Sequence, residues 1–328
     1  MALGEFERID RFFAPLSRGA EGAFGLTDDA ALLPAPPIGT AWVVTVDALV
    51  AGIHFLADDP PGLVARKALR VNLSDLAAMG AQSYGYTLAL ALPKDLADPE
   101  SWLQGFAEGL GEDQAQYGIH LLGGDSVSTT GPVTLSVTAF GTVPRGRELR
   151  RAGARAGDDL WVSGTIGDSA LGLRLQTGEL GAGGPGDGEL IDRYRLPQPR
   201  TVLGPALVGL ATAALDVSDG LVQDARHMAR RSGVALAIEA AAVPLSASAQ
   251  RHVDRSATLL HDVLTGGDDY ELLFAALPSR RGEIVRAAER AGTAVTRIGR
   301  AEAGEGVQVV GPDGLPLGGL DRGGWDHF

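Results

Sequence analysis

The apolar positions of this 328-residue chain fall into short blocks, some alternating and some recurring every third or fourth residue. Trp42–Val46 is apolar and β-branched and predicts a buried strand. It ends on Asp47, and the loop beyond carries His54. Residues 4–16 alternate as a short amphipathic helix. A second helix starts at Pro60-Pro61-Gly62, runs to Met79 and stops at Gly80. On it Ala68, Val71, Asn72, Asp75 and Met79 share one stripe, which sets the Asp75 carboxylate on an apolar face. A carboxylate there must be paired, hydrogen-bonded or bound to a cation. Tyr86–Leu92 predicts a strand closed by Pro93, and Ser101–Tyr117 a helix. Ile119–Leu122 is a strand into Gly123-Gly124-Asp125, and Val133–Val143 a further, alternating one.

From Pro144 to Asp159 the chain is rich in Gly and Arg and poor in apolar residues, so the domain boundary falls there: 1–145 and 146–328. The second half opens with a strand, Leu160–Val162, then Gly164–Ser169 and a helix through Leu175. Gly178–Gly188 reads as a mobile loop. A helix near 201–211 follows, then Leu215–Asp219, a helix to Arg231 and a strand Val234–Ile238. Tyr270–Phe274, Ala294–Ile298 and Val307–Val310 are later strands, with a helix over 280–291 and a hairpin turn at Gly311-Pro312-Asp313-Gly314. Strands and helices mix in both halves without strict alternation, which predicts an α+β, two-domain fold.

The formal charge of −13 is a poor basis for binding duplex nucleic acid or an anionic membrane. No apolar run approaches the ~20 residues of a membrane span. The absence of cysteine removes thiolate catalysis, Cys-ligated zinc and disulfides. It fits a cytoplasmic protein, as does an N-terminus with Glu5 and Glu7 and no basic leader. Lys67 and Lys94 are the only lysines and neither follows Gly-x-x-x-x-Gly, which excludes a Walker A loop. There is no Gly-x-Gly-x-x-Gly after a strand and no His-x-x-x-His pair.

What the chain has in surplus is Asp at strand ends and helix starts: Asp28, Asp29, Asp47, Asp75, Asp125, Asp216, Asp219, Asp268 and Asp269. Carboxylate oxygens are what Mg²⁺ prefers when it bridges protein to substrate phosphates. Singly, each has a plainer reading: Asp beside Gly is a turn residue, and Asp219 a helix cap. Together, they predict one acidic basin that cations convert into a phosphate site. His54 is either a satisfied core histidine or a phosphate contact. Ser218 either caps a helix or uses its N-terminus to face a phosphate. Gly164–Ser169 either cradles a phosphate or, on the plainer reading, is a strand-to-helix turn. Arg151 is a solvated charge or a phosphate clamp, and Trp325 a packing anchor or a stacking platform.

Longer stretches carry a resemblance. Gly4-Glu5-Phe6, Asp28-Asp29-Ala30-Ala31-Leu32-Leu33, Asp47 with Ala51-Gly52-Ile53-His54-Phe55, and Lys67 through Ala81 resemble the thiamine-monophosphate kinase family. So do Gly123-Gly124-Asp125, Asp216-Val217-Ser218-Asp219-Gly220-Leu221, Gly266-Gly267-Asp268-Asp269-Tyr270-Glu271-Leu272 and the terminal Asp326-His327-Phe328. The resemblance implies transfer of the ATP γ-phosphate onto thiamine monophosphate. It implies the two-domain fold of aminoimidazole ribonucleotide synthetase, in dimers whose N-terminal sheets pair. It implies several Mg²⁺ ions on Asp29, Thr45, Val46, Asp47, Asp75, Asp125, Asp216 and Asp219. It also implies ATP on Gly124, Asp125, Arg151 and Ser218, and the acceptor on His54, Asp268 and Trp325. The chain departs from the family pattern in three places. Val46 offers a metal only its carbonyl, Asp268 replaces the usual Glu, and Thr27 precedes the Asp pair.

The acceptor is itself an ionised phosphate, so no catalytic base is expected. The obstacle is repulsion between two anions, and positioning plus charge stabilisation would overcome it by direct in-line transfer. Two other readings compete: another ATP-dependent synthetase of the same fold, and a non-catalytic acidic metal-binding protein.

Overall fold

The computed structural model describes residues 3–311 and 313–320. The chain divides into two compact units, Met1–Leu76 with Ala81–Arg145, and Ala77–Gly80 with Gly146–Phe328.

In the first unit a short helix α1 (Glu5–Arg8) runs into a π-turn at Ile9–Phe13 and 3-10 turns at Ala14–Ser17 and Glu21–Leu26. Then come β1 (Thr40–Val50), α2 (Pro61–Ala78), β2 (Gln82–Pro93), α3 (Pro99–Tyr117), β3 (His120–Thr129) and β4 (Thr134–Pro144). The sheet order is β1-β4-β2-β3, antiparallel except for the parallel pair β2–β3. On one face Thr45 of β1 bonds to Asp75 of α2, and Tyr86 of β2 accepts from Gln114 of α3. The helices therefore cover that face.

Strand β1 passes through Asp47 instead of ending on it, and it is not buried on both sides. Val44 and Val46 are 57% and 61% exposed. An antiparallel sheet covered on one side alternates inward and outward residues, and here the outward ones are apolar as well. Strand β3 likewise continues past Leu122, with Gly123, Gly124 and Asp125 inside it. A Cβ at Gly124 would overlap the Leu88 carbonyl, so only glycine permits this pairing with β2. Helix α2 is buried nearly all round, Lys67 and Arg70 included. Arg70 closes on the fully buried Asp113 of α3 through Nε–Oδ2 (2.7 Å) and Nη2–Oδ1 (2.9 Å), and Arg66 Nε adds a third contact at 2.9 Å.

The second unit holds β5 (Asp159–Ser163), α4 (Asp168–Gln176), α5 (Asp187–Arg195), α6 (Leu203–Ala206), β6 (Ala211–Asp216) and α7 (Leu221–Ser232). After these come β7 (Ala235–Glu239), α8 (Ala247–Arg255), α9 (Leu259–Thr265), β8 (Leu272–Ala276), α10 (Arg281–Arg290), β9 (Val295–Glu302) and β10 (Gly306–Val310). The sheet order is β10-β7-β9-β5-β8-β6, antiparallel except β10–β7. Three helices escape the hydrophobic pattern. Helix α5 buries only Leu190 and Tyr194 besides its first residue, α8 buries Ser248, Ala249 and His252, and α9 is a seven-residue helix before Gly266. The helix expected near 201–211 is the single turn α6, and Gly209, with a φ of 82°, stops it from continuing. Among the described residues no helix is long and apolar enough to cross a membrane.

Candidate active site

In the first unit Thr45 and Asp47 lie two residues apart on β1, so both project to the helix-covered face. The Thr45 hydroxyl donates to Oδ2 of Asp75. Burial and then the charge of Asp75 push the Asp47 carboxyl up from 3.8 to about 7. Two neighbouring carboxylates supply the hard oxygen donors that a divalent cation takes. Val46 turns its side chain to the open face, leaving only its carbonyl as a donor. His54 sits in the turn beyond β1, where Nδ1 accepts the Val50 N–H at 3.1 Å. That bond fixes the ring, and its Nδ1 serves the backbone.

Asp28 and Asp29 follow the Glu21–Leu26 turn and line a cavity of about 390 Å³ with Gly124, Asp125, Phe6, Ile9 and Phe13. Asp125 is not beside Asp47. By register Asp47 is in the row Val137–Leu88–Gly124, and Asp125 in the row Ala48–Ser136–Ala89. The two aspartates thus point to opposite faces, with β4 and β2 between their strands, a separation of about 14 Å at ordinary strand spacing. Within this unit the expected basin is two separate groups, Asp47 with Asp75 and Asp28, Asp29 with Asp125.

In the second unit Asp216 is buried at the end of β6, and the next residues turn into α7. Asp219 does not cap that helix, whose N-cap is Gly220; instead the Asp219 N–H donates to Oδ2 of Asp224 at 3.0 Å. Asp224 is held well above the ordinary carboxylate range, first by burial and then by Asp216 and Asp219. Asp219, Asp224 and His227 present ligand atoms within 4.8 Å of one another. Burial and the neighbouring Arg151 and Arg230 depress the His227 pKa, keeping a neutral imidazole available. Arg151 is exposed, and its charge partly offsets that of the Asp224 carboxylate. Asp224 and His227 were missed in the sequence; the signal was their three-residue spacing on a helix that starts beside Asp219.

Ser218 presents its carbonyl to the Asp268 N–H at 2.8 Å. Asp268 and Tyr270 have φ of 67° and 52°, and the Tyr270 hydroxyl donates to Oδ1 of Asp268 at 3.2 Å. Gly164–Ser169 is a strand-to-helix turn in which the Gly164, Ile166, Gly167 and Ser169 amides are already bonded. Asp269 accepts from the Gly167 N–H at 2.8 Å and the Ser169 N–H at 3.4 Å. Trp325 lies outside the described residues.

Family models for the AIR synthase related protein match here, the N-terminal domain over residues 27–143 and the C-terminal domain over 155–311. A thiamine-monophosphate kinase of Caulobacter vibrioides is 45% identical, over 98% of this chain and 90% of its own. The chain belongs to the thiamine-monophosphate kinase family. The crystal structure of a thiamine-monophosphate kinase from Stenotrophomonas maltophilia superposes with a TM-score of 0.84 at 42% identity, covering 97% of this chain and 99% of that one. AaThiL complexed with AMPPCP and TMP superposes with a TM-score of 0.77 at 34% identity, covering 100% and 99%. Membership of this family accounts for the match of both units to the AIR synthase related domains.

Proposed function

We propose that this protein transfers the γ-phosphoryl group of ATP to the phosphate of thiamine monophosphate, giving thiamine diphosphate and ADP. An oxygen of the acceptor phosphate forms the new bond to the γ-phosphorus as the bond to the β,γ-bridging oxygen breaks, and that oxygen leaves on ADP. The full-length family match supports the reaction. The observation that carries the chemistry is the Asp47–Asp75 pair, whose mutual charge calls for a cation.

Asp29, Asp47, Asp75, Asp125, Asp216 and Asp219 would hold Mg²⁺, with the Thr45 hydroxyl and the Val46 carbonyl beside them. Bound Mg²⁺ supplies the positive charge that offsets repulsion between two phosphates and aligns in-line attack. The residues themselves orient and neutralise. Gly124 and Asp125 would meet ATP on the first unit, Arg151 and Ser218 on the second. Arg151 would add a fork of N–H donors to the phosphates. His54, Asp268 and Trp325 would meet thiamine monophosphate. No side chain need remove a proton, because the attacking phosphate is already ionised.

The protein would act as a homodimer in the cytoplasm, where ATP is supplied. The open face of the first sheet supports the dimer, since Val44, Val46 and Val127 are all exposed there. Asp125 shares that face, so a second copy covering it would enclose Asp125. A coupled ADP assay across thiamine, thiamine monophosphate and aminoimidazole precursors, with and without Mg²⁺, tests the reaction. ADP formation that requires thiamine monophosphate supports it, and ADP formation only with another acceptor overturns it.

A further inference from the structure

The Gly266–Glu271 segment is held in a backbone form its side chains disfavour. Asp268 and Tyr270 both sit in the left-handed region, where a Cβ crowds the following carbonyl. Such a conformation persists only when its surroundings over-determine it. Three backbone bonds lace the segment to the neighbouring turn: Asp268 N–H to the Ser218 carbonyl, Tyr270 N–H to the Val217 carbonyl, and Val217 N–H to the Glu271 carbonyl, each 2.8 Å.

The Glu271 carboxylate anchors this lacing. It is fully buried, yet it takes four charged or hydroxyl donors. Arg200 approaches with both Nε (2.6 Å) and Nη2, Arg193 with Nη2 at 2.8 Å, and Ser163 with Oγ at 2.6 Å. Burial alone would raise its pKa, but Arg200 and then Arg193 outweigh burial and hold it below the usual range. Arg193 also donates to the Asp269 carbonyl at 3.3 Å, gripping the segment at a second point. A Cβ on Gly164 would overlap Glu271 Oε1, so the turn after β5 leaves room for this carboxylate only as glycine. Arg193 lies on α5, directly after the glycine-rich 178–186 stretch.

We propose that Glu271, clamped by Arg193 and Arg200, is the positioning residue that sets Asp268 for the acceptor and ties its placement to helix α5. This rests on the reading of Asp268 as a contact of thiamine monophosphate. The clamp does not touch substrate. It acts by holding two left-handed residues that would otherwise relax toward ordinary backbone conformations, moving the Asp268 carboxylate with them.

The test uses the full-length enzyme with Glu271→Gln, Arg200→Gln and Arg193→Lys, the last a milder change should the others not fold. Each is expected to raise KM for thiamine monophosphate by ~10-fold or more while kcat and KM for ATP stay within about 2-fold, as for a misplaced binding group. Combined with Asp268→Asn, Glu271→Gln should add little further, since the two act through one contact. In parallel, amide exchange of the 266–272 peptide should accelerate by ~10-fold while other peptides keep their protection. Equal losses toward both substrates, or unchanged exchange of that peptide, would overturn the proposal. A wild-type enzyme inactive with thiamine monophosphate would instead refute the proposed reaction, and the exchange measurement would still decide the clamp.

Discussion

Asp47 and Asp75 face one another from β1 and α2, and the Asp47 pKa is pushed up to about 7, first by burial and then by Asp75. In the metal-free protein this favours the neutral acid. The stability Asp47 contributes is fully present below 3.8 and is lost as pH rises through about 7. Asp47→Asn removes this titration. The metal-free variant should therefore lose less stability than the wild type between about pH 4 and about pH 8. Calorimetric Tm values at the two pH limits check this, and parallel losses in both proteins would speak against it. Because a cation competes with the proton, apparent Mg²⁺ affinity should also rise with pH through the same range.

Asp224 supports Asp219 from beneath by accepting its N–H. Asp224→Asn alters one of the three clustered ligand groups and the acceptor of the Asp219 N–H, and should weaken Mg²⁺ binding by roughly 10- to 100-fold. Thermal stability should hold or rise, since a buried carboxylate crowded by two others is removed. Mg²⁺ titration by calorimetry, paired with a melting curve, separates the two effects.

Asp113 takes both Arg66 and Arg70 at the α2–α3 contact. Asp113→Ala takes the carboxylate from the buried Arg70, while Arg66 keeps Glu112, and should cost about 3–5 kcal/mol in urea unfolding. The folded fraction should keep its KM for both substrates. A changed KM for thiamine monophosphate alone would give Asp113 a role this account does not.

Val44 and Val46 stand outward on edge strand β1, on the face proposed to meet a second copy. Val46→Asp should convert the dimer to monomer in size-exclusion chromatography with light scattering. A wild type that is monomeric at assay concentration would remove the proposal.

Much of this was legible in the sequence, for physical reasons that differ by element. Strands β2, β4 and β5 and helix α3 show in strong apolar periodicity, and the family motifs mark the aspartates. Helix α5 was hidden because it buries only two large side chains, Leu190 and Tyr194, and α8 because it buries small or polar residues, His252 against Asp187 among them. The separation of Asp125 from Asp47 was illegible because the strand order β1-β4-β2-β3 is not sequential. Glu271 was quoted in a motif but carried no signal of its partners, since Arg193 and Arg200 stand more than 70 residues away.

The central claim is that aspartate-held cations let one phosphate attack another. It is tested most directly by Mg²⁺ titration of thiamine-monophosphate-dependent ADP formation in wild type, Asp47→Asn and Asp219→Asn. Both variants, with melting curves showing an intact fold, should need much more Mg²⁺ and lose most of kcat. Wild-type turnover by both at limiting Mg²⁺ would contradict it.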